Sequence, residues 1–166
     1  MNGLRLLAMR HAKSSWKNEN LVDFDRPLNR RGRNAAPLMA RVLFEKKLIP
    51  DLILSSAAKR AQQTTELMVQ TWARQQAAVE AVFLKSLYLG SPENYSSALA
   101  QLGTRQNIIM LVGHNPGIEH LIEHLTGQEA TMPTAAVAIM ACGASWQEQA
   151  PARLLNVVRP KDFLDG

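Results

Sequence analysis

Three separated stretches of this 166-residue chain place cations and imidazoles directly after short apolar runs. Arg10-His11 follows the run at 4–9, the segment 55–60 ending in Arg60 follows 52–54, and Gly113-His114 follows 107–112. Each residue type suits chemistry at phosphorus. Arginine offers a planar fork of donors that matches a pair of phosphate oxygens, and a neutral imidazole nitrogen can attack phosphorus to form a covalent intermediate. A transferring phosphoryl group spreads negative charge over its oxygens, so in-line positioning and cationic donors are most of what the reaction asks of a protein. Two arginines and two histidines could meet that demand without a metal or a cofactor.

For four side chains so distant in sequence to meet, the fold must gather the ends of several strands. Residues 4–9 read as a buried parallel strand, and Ala35, Leu38, Met39, Val42 and Leu43 then recur at helical spacing. Pro37 is comfortable only in a first turn, so either Asn34 caps this helix or an earlier helix from Asn29 bends there. A short strand at 52–54 runs into a second helix marked by Ala61, Thr65, Met68 and Trp72. A third strand is expected at 78–83. Ser91-Pro92-Glu93 has the cap, first-turn proline and acidic first turn of a helix reaching about Leu102. The apolar strand 107–112, the tight loop 113–117 and a helix carrying Ile118, Leu121, Ile122 and Leu125 form the clearest unit, and 135–140 and 153–158 read as closing strands. No repeat or linker divides the chain, so residues 1–166 are expected to form one domain of α/β class, a three-layer α/β/α sandwich around a mostly parallel sheet. Ligands in such sheets bind beyond the carboxyl ends of the strands, where the three loops should converge.

Bulk properties narrow the setting. A hydrophobic fraction of 46% is ordinary for a globular protein, and no stretch has the apolar length of a membrane span or a secretory signal. A cytoplasmic location is expected, and Cys142, the only cysteine, is expected to be a small core residue. The net charge of +5 fits acidic or phosphorylated partners. Nucleic acid is disfavoured, because the basic residues are scattered and aromatics are only 5% of the chain.

Arg10-His11-Ala12, the run Ser55-Ser56-Ala57-Ala58-Lys59-Arg60-Ala61-Gln62-Gln63-Thr64 and Gly113-His114-Asn115-Pro116-Gly117 together resemble the histidine phosphatase superfamily, whose fold is phosphoglycerate mutase-like. Arg10-His11-Ala12-Lys13-Ser14-Ser15-Trp16, followed by Asp25-Arg26-Pro27-Leu28 and Gly32, is similar to its small bacterial phosphohistidine phosphatases of the SixA type. The resemblance implies His11 as the phosphorylated nucleophile, Arg10 and Arg60 as phosphate clamps, His114 as a second stabilising imidazole and Arg26 as a further contact. Lys13, Ser14, Trp16 and Asn115 are expected on the substrate side. It implies as substrate a phosphohistidine on a protein, such as the histidine phosphotransfer domain of a signalling relay, with a small phosphorylated metabolite as the alternative. Two departures stand out. Ala12 replaces the family's glycine, a change that should still permit close approach to phosphate. Larger superfamily members carry an acidic residue in the loop after the third strand, where this chain has Leu87-Tyr88-Leu89-Gly90. Lacking that proton donor, the site should favour a phosphoramidate, whose imidazole leaves more readily than an alkoxide, unless Asp25 or Glu93 supplies the proton.

Blander readings compete at each position. Arg10-His11 alone could be solvated loop, and His114 alone a turn histidine; only their combination on one sheet edge points to catalysis. His120 and His124 have a zinc-compatible spacing but no third ligand, so a solvated helix face is expected. Trp16 is a substrate wall or packing, and the cluster from Arg26 to Arg33 is either solvated surface or a rim that attracts acidic phosphoproteins. A phosphate-recognising or nucleic-acid-binding module without catalysis is the reading of another class, and the paired histidines speak against it.

Overall fold

In the computed structural model, which describes residues 3–103 and 105–164, six strands form a single sheet in the order β3-β2-β4-β1-β5-β6. They are β1 (Arg5–Arg10), β2 (Leu52–Ser56), β3 (Glu80–Leu84), β4 (Ile108–Gly113), β5 (Val137–Ala141) and β6 (Arg153–Val158). The first four in that order are mutually parallel, while β5 runs antiparallel to β1 and β6 antiparallel to β5. The sheet is therefore mixed and mostly parallel. Four helices cover it: α1 (Arg30–Glu45), α2 (Lys59–Arg74), α3 (Pro92–Ala100) and α4 (Gly117–Thr126).

Strand side chains alternate between faces, and β1 is apolar on both because both are covered. Leu7 and Met9 pack with Met39, Leu43, Met68 and Trp72 of α1 and α2. Leu6 and Ala8 pack with Tyr95, Leu121 and Ile122 of α3 and α4 on the other face. The buried Trp72 indole donates to the Ala40 carbonyl at 2.9 Å, so the core there leaves no polar atom stranded. Cys142 is buried, and burial raises its thiol to about 11, in keeping with a packing role.

The ambiguity at Pro37 resolves in favour of the earlier start. Asn29 caps α1, its side chain accepting from the Gly32 amide at 2.9 Å, and the helix continues through the proline. The carbonyl that Pro37 leaves without a donor belongs to exposed Arg33, where solvent can satisfy it. The third helix stops at Ala100, short of Leu102, and opens with a capping box between Ser91 and Asn94. Ala135 stands just before β5 with a φ of 65°, and its amide reaches back to the carbonyls of Arg10 and His11 at 3.0 and 3.1 Å. That turn is why β5 begins two residues later than apolar character alone suggests. Among the described residues no helix is long and apolar enough to cross a membrane.

Candidate active site

β1, β2 and β4 lie side by side with their carboxyl ends level, Arg10 opposite Gly113 and Ser55 opposite Val112. The chain leaving each strand delivers one part of the cluster. Beyond β1, the His11 amide continues the ladder by donating to the Gly113 carbonyl at 2.9 Å, and the side chain is only 6% exposed. Its Nδ1 lies 2.7 Å from the Ala12 carbonyl. A carbonyl can only accept, so Nδ1 carries the hydrogen and Nε2 is left with its lone pair. The Arg60 Nε points at that Nε2 from 3.3 Å. Burial lowers the His11 pKa to about 4 against the opposing Ala12 bond, and the cations Arg60, Arg10 and Arg26 push the same way as burial.

After β2, the Ser56 hydroxyl accepts from the Ala58 amide at 3.2 Å and so fixes the turn that leads into α2, which begins without a side-chain cap. Arg60 follows in the first turn of α2 and is almost wholly buried. Beyond β4, His114 Nε2 sits 2.7 Å from the Ser56 hydroxyl, while its buried Nδ1 has no partner. The two imidazoles stand 5.1 Å apart between centroids. Burial, then His11 and Arg60, lower the His114 pKa to about 3. Arg10 donates through Nη1 to the Met132 carbonyl at 3.1 Å and keeps its buried Nε unpaired. Unpaired buried polar atoms are costly; Arg10 Nε is a donor that an oxyanion would satisfy, and His114 Nδ1 is another in the tautomer whose Nε2 accepts from the Ser56 hydroxyl. The amino termini of α2 and α4 add partial positive charge at the same edge.

Asp23 was not foreseen. It lies in a one-turn 3-10 helix at Asp23–Asp25, and both ion pairs among the described residues are its own. Arg60 donates Nη1 to its main-chain oxygen at 2.7 Å and Nη2 to Oδ2 at 2.9 Å, and the Tyr88 hydroxyl donates to Oδ2 at 2.6 Å. Arg26 Nε reaches Oδ1 at 3.1 Å. Partial burial pushes the Asp23 carboxyl up, but Tyr88, Arg60 and Arg26 outweigh it and hold it down at about 2. Tyr88 also stands edge-on to His114, with 5.5 Å between centroids, so the loop after β3 contributes a phenol where an acid was sought. Of the two acids that sequence offered, Asp25 is exposed and forms no ion pair among the described residues, and Glu93 is exposed in the first turn of α3. The i,i+3 spacing of Asp23 and Arg26 was a usable signal, though spacing could not exclude Asp25 as the functional acid.

The remaining expected residues divide. Arg26 is buried and donates Nη1 to the Ser14 hydroxyl at 2.9 Å, so those two brace one another beside Asp23. Trp16 is 70% exposed with the Arg26 guanidinium 3.5 Å from its ring centroid, which makes it a surface cover on a cation rather than core packing. Asn115 donates to the same Met132 carbonyl as Arg10, at 2.9 Å, and its Oδ1 is buried without a partner. Lys13 lines a separate cavity. His120 and His124 are exposed on α4, and among the described residues no group of three or more His, Cys, Asp or Glu side chains could hold a metal ion. Ala12 is fully buried in the core beneath the loop, so its methyl group is accommodated.

Two expected results follow from this packing. A Cβ at Gly32 would collide with the Lys13 carbonyl, a backbone atom that cannot swing aside. Gly32→Ala should therefore shift the 11–14 loop, costing roughly 2 kcal/mol in urea unfolding and lowering activity together; unchanged stability would mean that the loop yields freely. The second concerns acid. Between about pH 6.5 and pH 4 the unfolded chain protonates His11 and His114 while the native state leaves both neutral. Stability should fall as pH drops through that window, with a slope that steepens toward about 3 kcal/mol per pH unit for the pair well below pH 6.5. Urea midpoints at pH 7.5 and 5.5 check this, after comparison with a His114→Ala variant in which the slope from this pair should halve.

The family model of the histidine phosphatase superfamily (branch 1) matches residues 6–86. An uncharacterized chloroplastic protein of Arabidopsis thaliana is 34% identical over 159 residues, covering 87% of this chain and 69% of its own. A crystal structure from Agrobacterium tumefaciens, described as a candidate phosphohistidine phosphatase SixA, superposes with a TM-score of 0.78 at 33% identity over 95% of this chain and 99% of that one. The protein histidine phosphatase SixA complexed with tungstate gives a TM-score of 0.83 at 23% identity, covering 97% and 100% of the two chains, and shares the fold. With the arginine and histidine cluster at the strand ends and these similarities across nearly the full length, the chain belongs to the histidine phosphatase superfamily.

Proposed function

We propose that this protein removes the phosphoryl group from phosphohistidine on a protein, such as a histidine phosphotransfer domain, through a phosphohistidine at His11. The observation that carries the reading is the pairing of a bare His11 Nε2 with Arg60, in a site where the loop after β3 offers Tyr88 bound to an ionised Asp23 and no carboxylic acid. His11 Nε2 attacks phosphorus in line, the N–P bond of the substrate breaks, and its electron pair returns to the substrate imidazole. Arg10, Arg60 and His114 Nδ1 hold the phosphoryl oxygens, and Arg26 supports Asp23 and adds positive charge. Water then attacks phosphorus, the His11 N–P bond breaks, and inorganic phosphate leaves as the water proton passes to solvent. An imidazole whose other nitrogen can bear a proton departs without an enzyme acid, whereas an alkoxide cannot. We place this reaction in the cytoplasm and assign it to the protein side chains without a metal.

The test is a comparison of substrates. kcat/KM for a phosphohistidine-bearing phosphotransfer domain should exceed that for an alkyl phosphate monoester, glycerol phosphate, by roughly a hundredfold or more, the usual worth of an acid catalyst. Equal efficiency would move the assignment to a small phosphorylated metabolite.

A further inference from the structure

Beside the His11 loop lies a cavity of about 400 Å³ that the chemistry above does not use. Four cations line it, Lys13, Arg31, Arg159 and Lys161, and among the described residues no acidic side chain does. None of the four forms an ion pair among the described residues, where Asp23 holds both that exist. Leu38, Pro133 and Leu164 supply apolar wall between the charges. A space of this size is ample for a few side chains, and its lining asks for an occupant that is anionic and partly apolar.

Its location says what that occupant is attached to. Lys13 is two residues beyond His11, so its Cα lies within about 7 Å of that of the nucleophile. Pro133 follows Met132, whose carbonyl receives both Arg10 and Asn115. The cavity thus adjoins the phosphate cluster through the chain segments at Lys13 and Pro133. An extended protein segment is of a length to engage both.

We propose that this cavity is a docking subsite for an acidic, partly apolar segment of the phosphorylated protein substrate. The proposal rests on the reading of that substrate as a protein. Carboxylates of the segment meet Arg31, Arg159 and Lys161 while its phosphohistidine lies against His11, so the cavity selects among phosphoproteins without taking part in bond breaking.

The experiment compares a phosphohistidine-bearing phosphotransfer domain of acidic surface with phosphoimidazole, which cannot reach the cavity. The variant is Arg31→Glu with Lys161→Glu. Both residues are exposed, neither makes a side-chain hydrogen bond among the described residues, and an acid in the first turn of α1 suits its dipole. KM for the domain should rise roughly tenfold or more with kcat kept, while kcat and KM for phosphoimidazole stay within twofold. In the wild-type enzyme, KM for the domain should also climb with salt more steeply than that for phosphoimidazole, a readout independent of how the variant folds. If the wild-type enzyme dephosphorylates the domain but neither charge reversal nor salt moves KM, the subsite is wrong and the function stands. If it leaves the domain phosphorylated while hydrolysing phosphoimidazole, the protein-substrate reading is what fails, and the subsite with it.

Discussion

Replacing His11 with alanine is expected to lower kcat by about ten-thousandfold or more and to abolish the phosphoenzyme. The size follows from what the residue is asked to do. Without Nε2 there is no covalent intermediate, and what remains is water attacking a phosphoryl group held by Arg10, Arg60 and His114, a slower single step. Intact mass spectrometry of the wild-type protein, mixed with a phosphohistidine substrate and kept away from acid, should show one added phosphoryl group that maps to His11. The variant should show none. Folding can be monitored separately, because removing one of two buried neutral imidazoles should weaken the acid dependence of stability without unfolding the core. A variant that turned over substrate at a tenth of the wild-type rate would place the nucleophile elsewhere.

Much of this was legible because apolar periodicity and strand-to-loop transitions are local signals. The three strands that end at the cluster, the helices behind them and the four residues Arg10, His11, Arg60 and His114 were all named from such signals, and the structure brings them together. What local signals could not supply was occupancy. Asp23 lies in a short exposed segment between elements, with no apolar pattern to place it, and only the fold shows its carboxylate meeting guanidiniums from positions 26 and 60. Tyr88 was noticed for the acid it replaces, and its hydroxyl on Asp23 joins two loops 65 residues apart. Lys13 shows what adjacency leaves open: two residues from the nucleophile by sequence, it lines the neighbouring cavity. Spacing along a loop does not say which way each side chain turns.

The same geometry explains why Gly32 matters although it touches no phosphate. The first turn of α1 passes so close to the Lys13 backbone that no side chain fits, and the Asn29 amide donates to the Lys13 carbonyl at 3.0 Å. The loop carrying His11 is thereby pinned from outside by a helix that supplies no catalytic group. From inside, the Ala12 amide is held by the Thr64 hydroxyl at 3.0 Å, and that hydroxyl donates to the Arg60 carbonyl at 2.7 Å. Nucleophile and clamp are thus tied through one threonine, so the relative position of His11 and Arg60 depends on packing that substrate need not reorganise.

Arg60 therefore bears the second large expectation. Its guanidinium serves three groups at once: Nε faces His11 Nε2, Nη1 the Asp23 main-chain oxygen and Nη2 the Asp23 carboxylate. A lysine retains the charge but not the fork, and its single ammonium cannot span these positions. Arg60→Lys should lower kcat by roughly a hundred to a thousandfold, as loss of a preorganised donor to the transition state does, with a smaller change in KM. The loss of the Asp23 contact should show separately in its titration. Asp23 is held at about 2 in part by Arg60, and the ammonium cannot make both contacts, so its pKa should move toward the ordinary carboxylate range, measurable by NMR. A variant with full activity and an unmoved Asp23 would mean that Arg60 is a packing residue and that the oxyanion is held by Arg10 and His114 alone.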